Sequence, residues 1–300
     1  MTTILLLGRR GQVGRELEPR LAALGNLIAL GHGELDLADN AAIAATLART
    51  RPQIVVNAAA CTNVDLAESQ VGQAMAVNCH GPATIARQLA LSGGMLVHYS
   101  TDFVFDGAGT KPYREDDVPK PLNAYGASKL AGEQAIIASG VAHLILRTSW
   151  VYGDRGSNFV TTMRDLARTR RELQVVNDQT GSPTWARTIA RVTCEMLSRY
   201  LRDPASCRGI YHLASRGETT RFGLVAKLVE LLSRNATSGF VRPALQAVDS
   251  GRFPTPARRP SYSVLDTRKL ESALGIALPH WEDDLEAFVC APAVNTARAP

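Results

Sequence analysis

Short apolar segments alternate with helical patterns along the first half of the chain. We predict strands at 4–8, 27–31, 54–58, 95–100 and 143–148, separated by helices at about 11–24, 40–50, 71–92 and 123–139. Strands such as Ile54-Val55-Val56 are apolar on both faces, as a parallel sheet covered by helices on both sides requires. The pattern therefore predicts an α/β protein with a doubly wound parallel sheet.

The alternation becomes irregular after Trp150, where we predict helices at 157–170, 184–201, 220–234 and 266–274 and short strands near 173–176, 209–213 and 245–248. We expect residues 1–150, with later segments interleaved, to form the first domain. Residues 151–290 should mainly form a second, smaller α/β domain, and residues 291–300 a disordered tail. The proline-rich stretch 253–260 is expected to be an extended loop, because proline cannot sit inside a helix or an inner strand.

The charge of the chain is unevenly distributed. Residues 1–150 hold 12 basic and 13 acidic groups, a charge of −1, whereas residues 151–300 hold 21 and 15, a charge of +6, and the two sum to the net charge of +5. The second half is therefore expected to meet an anion. Because the arginines are dispersed and no aromatic-rich surface accompanies them, a phosphate-bearing small molecule is favoured over nucleic acid.

Three further features limit the class of protein. The 300 residues, 45% of them hydrophobic, are enough for a large core and a smaller appended unit. The N-terminus shows neither a signal peptide nor a membrane span, so we expect a cytoplasmic protein without membrane contact. The five cysteines lack C-x-x-C spacing, which argues against a zinc site.

A glycine loop with the sequence Gly8-Arg9-Arg10-Gly11-Gln12-Val13-Gly14 joins the first predicted strand to the first helix. At such a turn glycines let the backbone approach a pyrophosphate, and the helix N-terminus offers N–H groups and a positive dipole to it. This predicts a site for the pyrophosphate of a dinucleotide. The G-x-x-G-x-x-G spacing resembles that of extended short-chain dehydrogenases, which implies a nicotinamide dinucleotide. The second strand ends in Leu30-Gly31-His32, without an acidic residue to repel a 2′-phosphate, and Arg9 and Arg10 lie nearby. We therefore expect NADPH to be preferred, with NADH still usable.

Tyr125 and Lys129 are four residues apart near the start of a predicted helix, so both project from one face. Tyrosine, with an ordinary pKa of about 10, exchanges protons poorly near neutrality, and a nearby lysine charge favours the phenolate. The hydroxyl of Thr101, at the end of the fourth strand, can bond a substrate carbonyl. These three residues predict the reduction of a carbonyl group.

Successive motifs along the chain resemble the dTDP-4-dehydrorhamnose reductase family of extended short-chain dehydrogenases/reductases. They are Gly11-Gln12-Val13-Gly14, Ala58-Ala59-Ala60 with Thr62, Val64-Asp65 and Ala67-Glu68, Ser100-Thr101-Asp102-Phe103-Val104-Phe105, Thr148-Ser149-Trp150-Val151-Tyr152, Asn177-Asp178-Gln179 and Pro254-Thr255-Pro256. The resemblance extends from residue 4 to about residue 282, so it includes the second domain.

The resemblance implies a Rossmann-like fold and an enzyme of dTDP-rhamnose biosynthesis. Such an enzyme reduces the 4-keto group of the nucleotide sugar dTDP-4-dehydro-L-rhamnose with NAD(P)H and gives dTDP-L-rhamnose. Tyr125 would then deliver the proton, Lys129 would tune Tyr125 and bind the nicotinamide ribose, and Thr101 would polarise the carbonyl. A monomer or a homodimer is expected.

The resemblance also implies two sets of binding residues. Cofactor-binding residues would be Gly8, Gly11, Gln12, Val13, Gly14, Asp36, Leu37, Ala58, Ala59, Ala60, Thr62, Tyr99, Tyr125 and Lys129. Substrate-binding residues would be Thr101, Asp102, Trp150 and Arg258, with Arg259 the alternative to Arg258 for the diphosphate.

A metal site is not expected. Some members of the family resemble one another in binding Mg²⁺ between subunits, through a carboxylate that Glu16 matches and through acidic residues on a later helix. Here that helix reads Trp185-Ala186-Arg187-Thr188-Ile189-Ala190-Arg191, and arginines cannot supply the oxygen ligands that Mg²⁺ needs. Mg²⁺ binding is therefore doubtful.

Two other functions remain open. A nucleotide-sugar 4,6-dehydratase or epimerase shares the fold, the cofactor and the Tyr–Lys pair, but a dehydratase resembles T-D-E where this chain has Thr101-Asp102-Phe103. Because phenylalanine cannot act as a base, reduction is favoured. A non-catalytic regulatory subunit could keep the same fold, although Thr101, Tyr125 and Lys129 are all present.

Overall fold

The computed structural model describes residues 1–235 and 240–291. Its strands are β1 (Thr3–Leu7), β2 (Asn26–Leu30), β3 (Ile54–Asn57), β4 (Met95–Thr101), β5 (Ala142–Thr148), β6 (Val151–Tyr152), β7 (Glu172–Val176), β8 (Thr180–Gly181), β9 (Thr184–Trp185), β10 (Gly209–His212), β11 (Thr219–Thr220) and β12 (Ala244–Val248). Its α-helices are α1 (Gln12–Ala22), α2 (Asn40–Thr50), α3 (Val64–Ser69), α4 (Val71–Met75), α5 (Gly81–Ser92), α6 (Ala124–Ala138), α7 (Phe159–Thr169), α8 (Ala186–Arg202), α9 (Arg221–Asn235), α10 (Arg268–Leu274) and α11 (Trp281–Cys290).

A six-stranded parallel sheet forms the centre of the molecule, with the strand order β10-β5-β4-β3-β1-β2. The five strands predicted in the first half are all present, each shifted by no more than one residue at either end. The predicted helix at 71–92 is α4 and α5 joined by a π-helical segment, Ala76–His80. The expected doubly wound, Rossmann-like α/β architecture is confirmed.

Both faces of the sheet are buried, because successive side chains of each strand point to opposite sides. Ile4 and Leu6 of β1 pack in one apolar cluster with α1 and α8, and Leu5 and Leu7 pack in another with α2, α5 and α6. Each fully buried aliphatic side chain contributes about 1.5–3 kcal/mol. The strands of a sheet that is covered on both sides therefore carry continuous apolar runs.

A separate apolar cluster lies in the second half, formed by helices α7, α9 and α11 with the parallel pair β7–β12. By contrast, α8, α10 and β10 belong to the first cluster or its sheet, so later segments do return to the core of residues 1–150. The division of the chain into domains at residue 150 stays a prediction.

Several elements were not predicted from the sequence. They are α3, α11 and the two-residue strands β6, β8, β9 and β11. For α11 a local signal exists, since His280 caps the helix and Glu282, Asp283 and Asp284 lie in its first turn, where the helix dipole favours acids. Of the predicted tail, residues 292–300 lie outside the described residues. Nowhere in 1–235 or 240–291 is a helix long and apolar enough to cross a membrane.

A buried ion pair joins α6 to the sheet. Arg147 on β5 donates to the carboxylate of Glu133 on α6, with Nη2 2.7 Å from Oε2 and Nε 3.0 Å from Oε1. The two side chains are 2% and 1% exposed. Two charges this deeply buried are tolerated only because each satisfies the other.

Removal of one partner of this pair should therefore be costly. We expect Arg147→Met to lower the free energy of unfolding by about 3–5 kcal/mol, because Glu133 would be left charged and unpaired in the core. Urea-induced unfolding at neutral pH measures the difference. Arg234→Met serves as the control: its ion pairs with Glu230 and Glu286 are 3.8 Å long and its side chain is 59% exposed. A loss below about 1 kcal/mol is expected there, and equal losses for both variants would contradict the prediction.

Candidate active site

One cavity of about 820 Å³ opens at the carboxyl ends of the sheet strands, where ligands of doubly wound folds bind. Most of the predicted site residues line it, namely Gly8, Gly11, Gln12, Val13, Asp36, Leu37, Ala58, Ala59, Ala60, Thr62, Tyr99, Thr101, Asp102, Tyr125, Lys129 and Trp150. Two predicted residues, Gly14 and Arg258, are not part of this lining. The parallel strands therefore bring distant motifs of the sequence to one place.

The glycine loop has the geometry of a phosphate cradle. Gly8 has a φ of +82°, and a Cβ on Gly14 would lie 2.1 Å from the carbonyl oxygen of Gly8, so only glycine allows this close turn. Helix α1 starts at Gln12, and its N-cap residue, Gly11, has no side chain to cap the first N–H groups. No acidic residue lies in the first turn. These features fit the pyrophosphate of a dinucleotide.

We expected no acidic residue at the end of the second strand, but the structure places one there. Glu34, from the loop after β2, accepts a hydrogen bond from the N–H group of Gly31 at 2.7 Å. Arg9 pairs with Glu18 at 2.8 Å and reaches Glu34 at 4.0 Å, whereas Arg10 lines the cavity. The sequence does not reveal this position of Glu34, because it is the fold of the loop that brings the Glu34 carboxylate back to the strand end. Arg10 is thus the loop arginine that faces the ligand space.

The start of α6 holds Tyr125 in the cavity wall. The side chain of Asn123 caps the helix by accepting from the N–H group of Gly126 at 2.8 Å, and Glu68 of α3 accepts from that of Ala124 at 2.8 Å. The ring of Phe103 lies edge-on to that of Tyr125, with centroids 6.0 Å apart. The second position of a helix is one where the dipole stabilises negative charge. The local structure thus favours a phenolate at Tyr125.

Burial opposes that effect. It raises the pKa of Tyr125 to about 12, and the Thr101 hydroxyl partly counteracts this. Lys129, one turn along α6, is 2% exposed, and burial lowers its pKa to about 8, while Glu133 acts in the other direction. Its Nζ lies 3.2 Å from Nε2 of His98, a buried residue of β4 that was not predicted as a site residue.

Thr101 and Asp102 form the end of β4 and the turn that follows it. The Thr101 hydroxyl donates to Asp102 Oδ1 at 3.0 Å, and its oxygen accepts from the N–H group of Phe103 at 3.1 Å. Asp102 is 2% exposed, and burial raises its pKa to about 6 against the opposing effects of Ser263, Thr101 and Arg221. An acid that titrates near neutrality therefore lies in the cavity wall.

Arg221, the first residue of α9, was not identified from the sequence. Its guanidinium lies 3.6 Å from the ring centroid of Trp150 and 4.8 Å from that of Phe159, and all three residues line the cavity. Burial lowers the pKa of Arg221 to about 10, while the Asp102 charge raises it. Trp150 itself has a φ of +45°, which is uncommon for a bulky residue and often accompanies a functional site.

The proline-rich loop does approach the cavity, through Arg259. Arg259 pairs with Asp65 of α3 at 2.7 Å, and Asp65 also accepts from the N–H group of Ala257 at 3.1 Å. The side chain of Arg258 is exposed, and its backbone carbonyl accepts from Asn123 at 2.8 Å. The structure thus places Arg259, but not Arg258, in the cavity lining.

Arginines surround Glu16, the residue that matches the family's metal-binding carboxylate. Its Oε2 lies 3.1 Å from Nη1 of Arg20 and 3.4 Å from Nε of Arg187. Arg187 also pairs with Asp154 at 2.9 Å. These contacts give Glu16 cationic partners from the protein itself.

The raised pKa of Asp102 predicts a pH-dependent stability. In the unfolded chain an aspartate titrates near pH 3.9, whereas in the folded protein Asp102 titrates at about 6. Between these values the folded state holds a proton that the unfolded state has released, so wild-type stability falls as the pH rises through this window. Asp102→Asn cannot ionise and should escape this loss.

We expect Asp102→Asn to gain about 2 kcal/mol relative to wild type between pH 4 and pH 7.5, measured by urea unfolding at a series of pH values. Ser263→Ala should move the wild-type step to higher pH, because Ser263 helps to stabilise the carboxylate. A difference between Asp102→Asn and wild type that stays constant over the whole series would refute the assignment of this pKa.

Comparison with known proteins gives one consistent result. The family model for the RmlD substrate binding domain matches residues 1–293. The dTDP-4-dehydrorhamnose reductase of Burkholderia thailandensis is 43% identical over 93% of this chain and 95% of its own length. Crystal structures of dTDP-4-dehydrorhamnose reductases from Clostridium acetobutylicum and, with NADP, from Bacillus anthracis superpose with TM-scores of 0.88 and 0.87 at 33% and 32% identity. They cover 96% of this chain and 98% and 99% of their own. The chain therefore belongs to the dTDP-4-dehydrorhamnose reductase family.

Proposed function

We propose that this chain reduces the 4-keto group of dTDP-4-dehydro-L-rhamnose with NAD(P)H to give dTDP-L-rhamnose. The observation that carries the proposal is that Thr101, Tyr125 and Lys129 line the same cavity as the glycine loop. The cavity belongs to a chain that is 43% identical to proteins named dTDP-4-dehydrorhamnose reductase.

A nicotinamide dinucleotide would supply the hydride for this reduction. The loop 8–14 and the uncapped start of α1 would hold its pyrophosphate. Asp36 and Leu37 would lie on the adenine side, and the small side chains of Ala58, Ala59 and Ala60, with Thr62 and Tyr99, would leave room for the rest. All of these residues except Arg9 and Gly14 line the cavity, which supports the assignment.

In the proposed mechanism Tyr125 donates its phenolic proton to the oxygen that forms at C4 of the sugar. Its position in the first turn of α6 lowers the cost of the resulting phenolate. Lys129 adds a positive charge one turn away and binds the nicotinamide ribose. On substrate binding the Thr101 hydroxyl would turn its one proton from Asp102 Oδ1 to the carbonyl oxygen and stabilise the charge that develops there.

Trp150 and Asp102 would line the sugar pocket, and Arg221 is proposed as an additional substrate contact. A guanidinium stacked on an aromatic ring keeps its N–H donors free for an anion or for sugar hydroxyls. Arg258 stays a predicted ligand of the substrate diphosphate. Arg259 is the alternative, although its pairing with Asp65 already satisfies part of its charge.

The geometry around Tyr125 favours reduction over dehydration. Elimination of water needs a second base beside the tyrosine, and the position after Asp102 is occupied by the aromatic ring of Phe103, packed edge-on to Tyr125. A coupled assay with enzymatically generated substrate, in which the absorbance of NADPH or NADH is followed, tests the function. Absence of oxidation of either cofactor would overturn the proposal.

Loss of the phenolic proton should abolish turnover. We expect Tyr125→Phe to lower kcat at least a hundredfold while the Kd for NADPH changes less than about threefold, because only the transferable proton is removed. Steady-state kinetics and calorimetry give the two values. A variant that keeps more than about a tenth of the wild-type kcat would remove Tyr125 from the role of acid.

We further propose that NADPH is preferred over NADH. Arg10 lines the cavity near the end of β2 and can pair with a 2′-phosphate, whereas Arg9 is engaged by Glu18. Glu34 at the same strand end acts against the phosphate, so NADH should still be used.

This arrangement predicts opposite effects at two positions. Arg10→Ala should weaken NADPH binding about tenfold with little effect on NADH, because only NADPH carries the phosphate that the arginine contacts. Glu34→Gln keeps an acceptor for the N–H group of Gly31 but removes the charge, and it should strengthen NADPH binding. Kd values for both cofactors in both variants provide the test. Equal losses for NADPH and NADH in Arg10→Ala would show that Arg10 only supports the loop.

We also propose that activity needs no Mg²⁺ and that the protein acts as a monomer or a homodimer. The pairing of Glu16 with Arg187 and Arg20 supports the first point. Chelation with EDTA should leave the rate unchanged, and a loss that added Mg²⁺ restores would contradict it.

A further inference from the structure

A chain of buried hydrogen bonds runs behind the cavity, from the end of β3 to α6. Asn57 Oδ1 accepts from the backbone N–H group of Ala59 at 3.1 Å, and Asn57 Nδ2 lies 3.1 Å from Nδ1 of His98. On the other side of the ring, His98 Nε2 lies 3.2 Å from Lys129 Nζ. Asn57 and His98 are completely buried and Lys129 is 2% exposed.

The direction of these hydrogen bonds fixes the tautomer of His98. A backbone N–H group can only donate, so the amide oxygen of Asn57 must face Ala59 and its amide nitrogen must face His98. An amide nitrogen also only donates, so Nδ1 of His98 must be the acceptor. A neutral imidazole then carries its one proton on Nε2. Burial, the largest effect, keeps the pKa of His98 well below its usual 6.5, so the ring is neutral.

The Nε2–H group consequently points at Lys129. An ammonium group has donors only, and it would oppose this N–H group with its own at 3.2 Å. A neutral amine has a lone pair and can accept the bond. In a buried setting an opposed pair of donors is costly, so the contact favours the neutral form of Lys129.

The other charged groups near Lys129 do not reverse this preference. Glu133, one turn further along α6, favours the ammonium, but its carboxylate is already paired with Arg147 of β5 at 2.7 Å. Tyr125, one turn earlier, is a neutral phenol. Asp102 and Cys61 affect the pKa of Tyr125 and are not among the groups that shift the pKa of Lys129. Desolvation of Nζ is the largest effect and has the same sign as the His98 contact.

We propose that His98 is a positioning residue whose Nε2–H group shifts Lys129 toward the neutral amine in the free protein, so that the binding of a nicotinamide dinucleotide brings a proton onto Nζ. The second half of this inference rests on the proposed function. A ribose hydroxyl gives the ammonium an acceptor, and the His98 N–H group directs the charged Nζ away from β4 toward the ribose and Tyr125. The lysine charge would thus arise only in the complex in which Tyr125 gives up its proton.

The tautomer can be measured without any ligand. Two-bond ¹H–¹⁵N correlation spectra of the ¹⁵N-histidine-labelled protein distinguish Nε2–H, Nδ1–H and charged rings, and His98→Gln assigns the signal among the six histidines. We expect a neutral Nε2–H ring at pH 8. An Nδ1–H or a charged ring in the wild-type protein would overturn the inference.

Proton uptake is measured by calorimetric titration with NADPH and with NADH in buffers of different ionisation enthalpy. A group with a pKa of about 8 is mostly neutral at pH 8.5, so we expect uptake of more than about half a proton there and little at pH 6.5. NADH controls for titration of the 2′-phosphate. Tyr125→Phe should keep the uptake, which assigns it to Lys129 and not to the phenol.

Asn57→Asp is the matched variant, because it reverses the direction of the hydrogen bonds through His98 with almost no change in side-chain shape. A carboxylate accepts from Nδ1–H, which frees Nε2 to accept from a Lys129 ammonium. We expect an Nδ1–H ring and uptake below about a fifth of a proton at pH 8.5. If wild type binds the dinucleotide without proton uptake, the inference fails and the proposed function stands. If neither dinucleotide binds, the proposed function fails and the wild-type tautomer still decides the first half of the inference.

Discussion

Burial of the parallel sheet on both faces is the constraint on which the rest of this structure depends. Because α1 and α8 cover one face and α2, α5 and α6 cover the other, the strands meet the ligand space only where they end. Thr101 is the last residue of β4, the alanines follow β3, and the glycine loop follows β1. The site therefore forms where the strand ends converge at one edge of the sheet.

Helix α6 contributes polar side chains to the cavity wall at this edge. Its first turn carries Tyr125 at the cavity, its second turn carries Lys129, and its third carries Glu133, which is paired with Arg147 in the core. A buried ion pair contributes little net stability, but a shift of α6 against β5 would leave both charges unpaired. The pair therefore opposes such a shift of the helix that carries Tyr125.

The sequence was sufficient for the fold and for most of the predicted site residues that line the cavity, because continuous apolar runs and helical apolar patterns identify the strands and helices, and the motifs follow the strand ends. It was insufficient where the tertiary fold alone brings groups together. Glu34 returns to the strand end through a loop, and Arg221 comes from a helix some seventy residues after Trp150. His98 has the apolar neighbours of an ordinary core strand residue. Only the three-dimensional contacts with Asn57 and Lys129 distinguish it from a packing residue.

Four buried ionisable groups of the cavity wall share one property, which is that burial shifts the pKa of each toward its neutral form. The pKa of Tyr125 is raised to about 12 and that of Asp102 to about 6, while those of Lys129 and Arg221 are lowered to about 8 and 10. Desolvation penalises each charge, and within the wall the Asp102–Arg221 attraction offsets only part of that penalty. Ligands that carry phosphates and hydroxyl groups would supply the missing partners. In such a site, a bound ligand would stabilise the charged forms of these groups next to the reacting atoms.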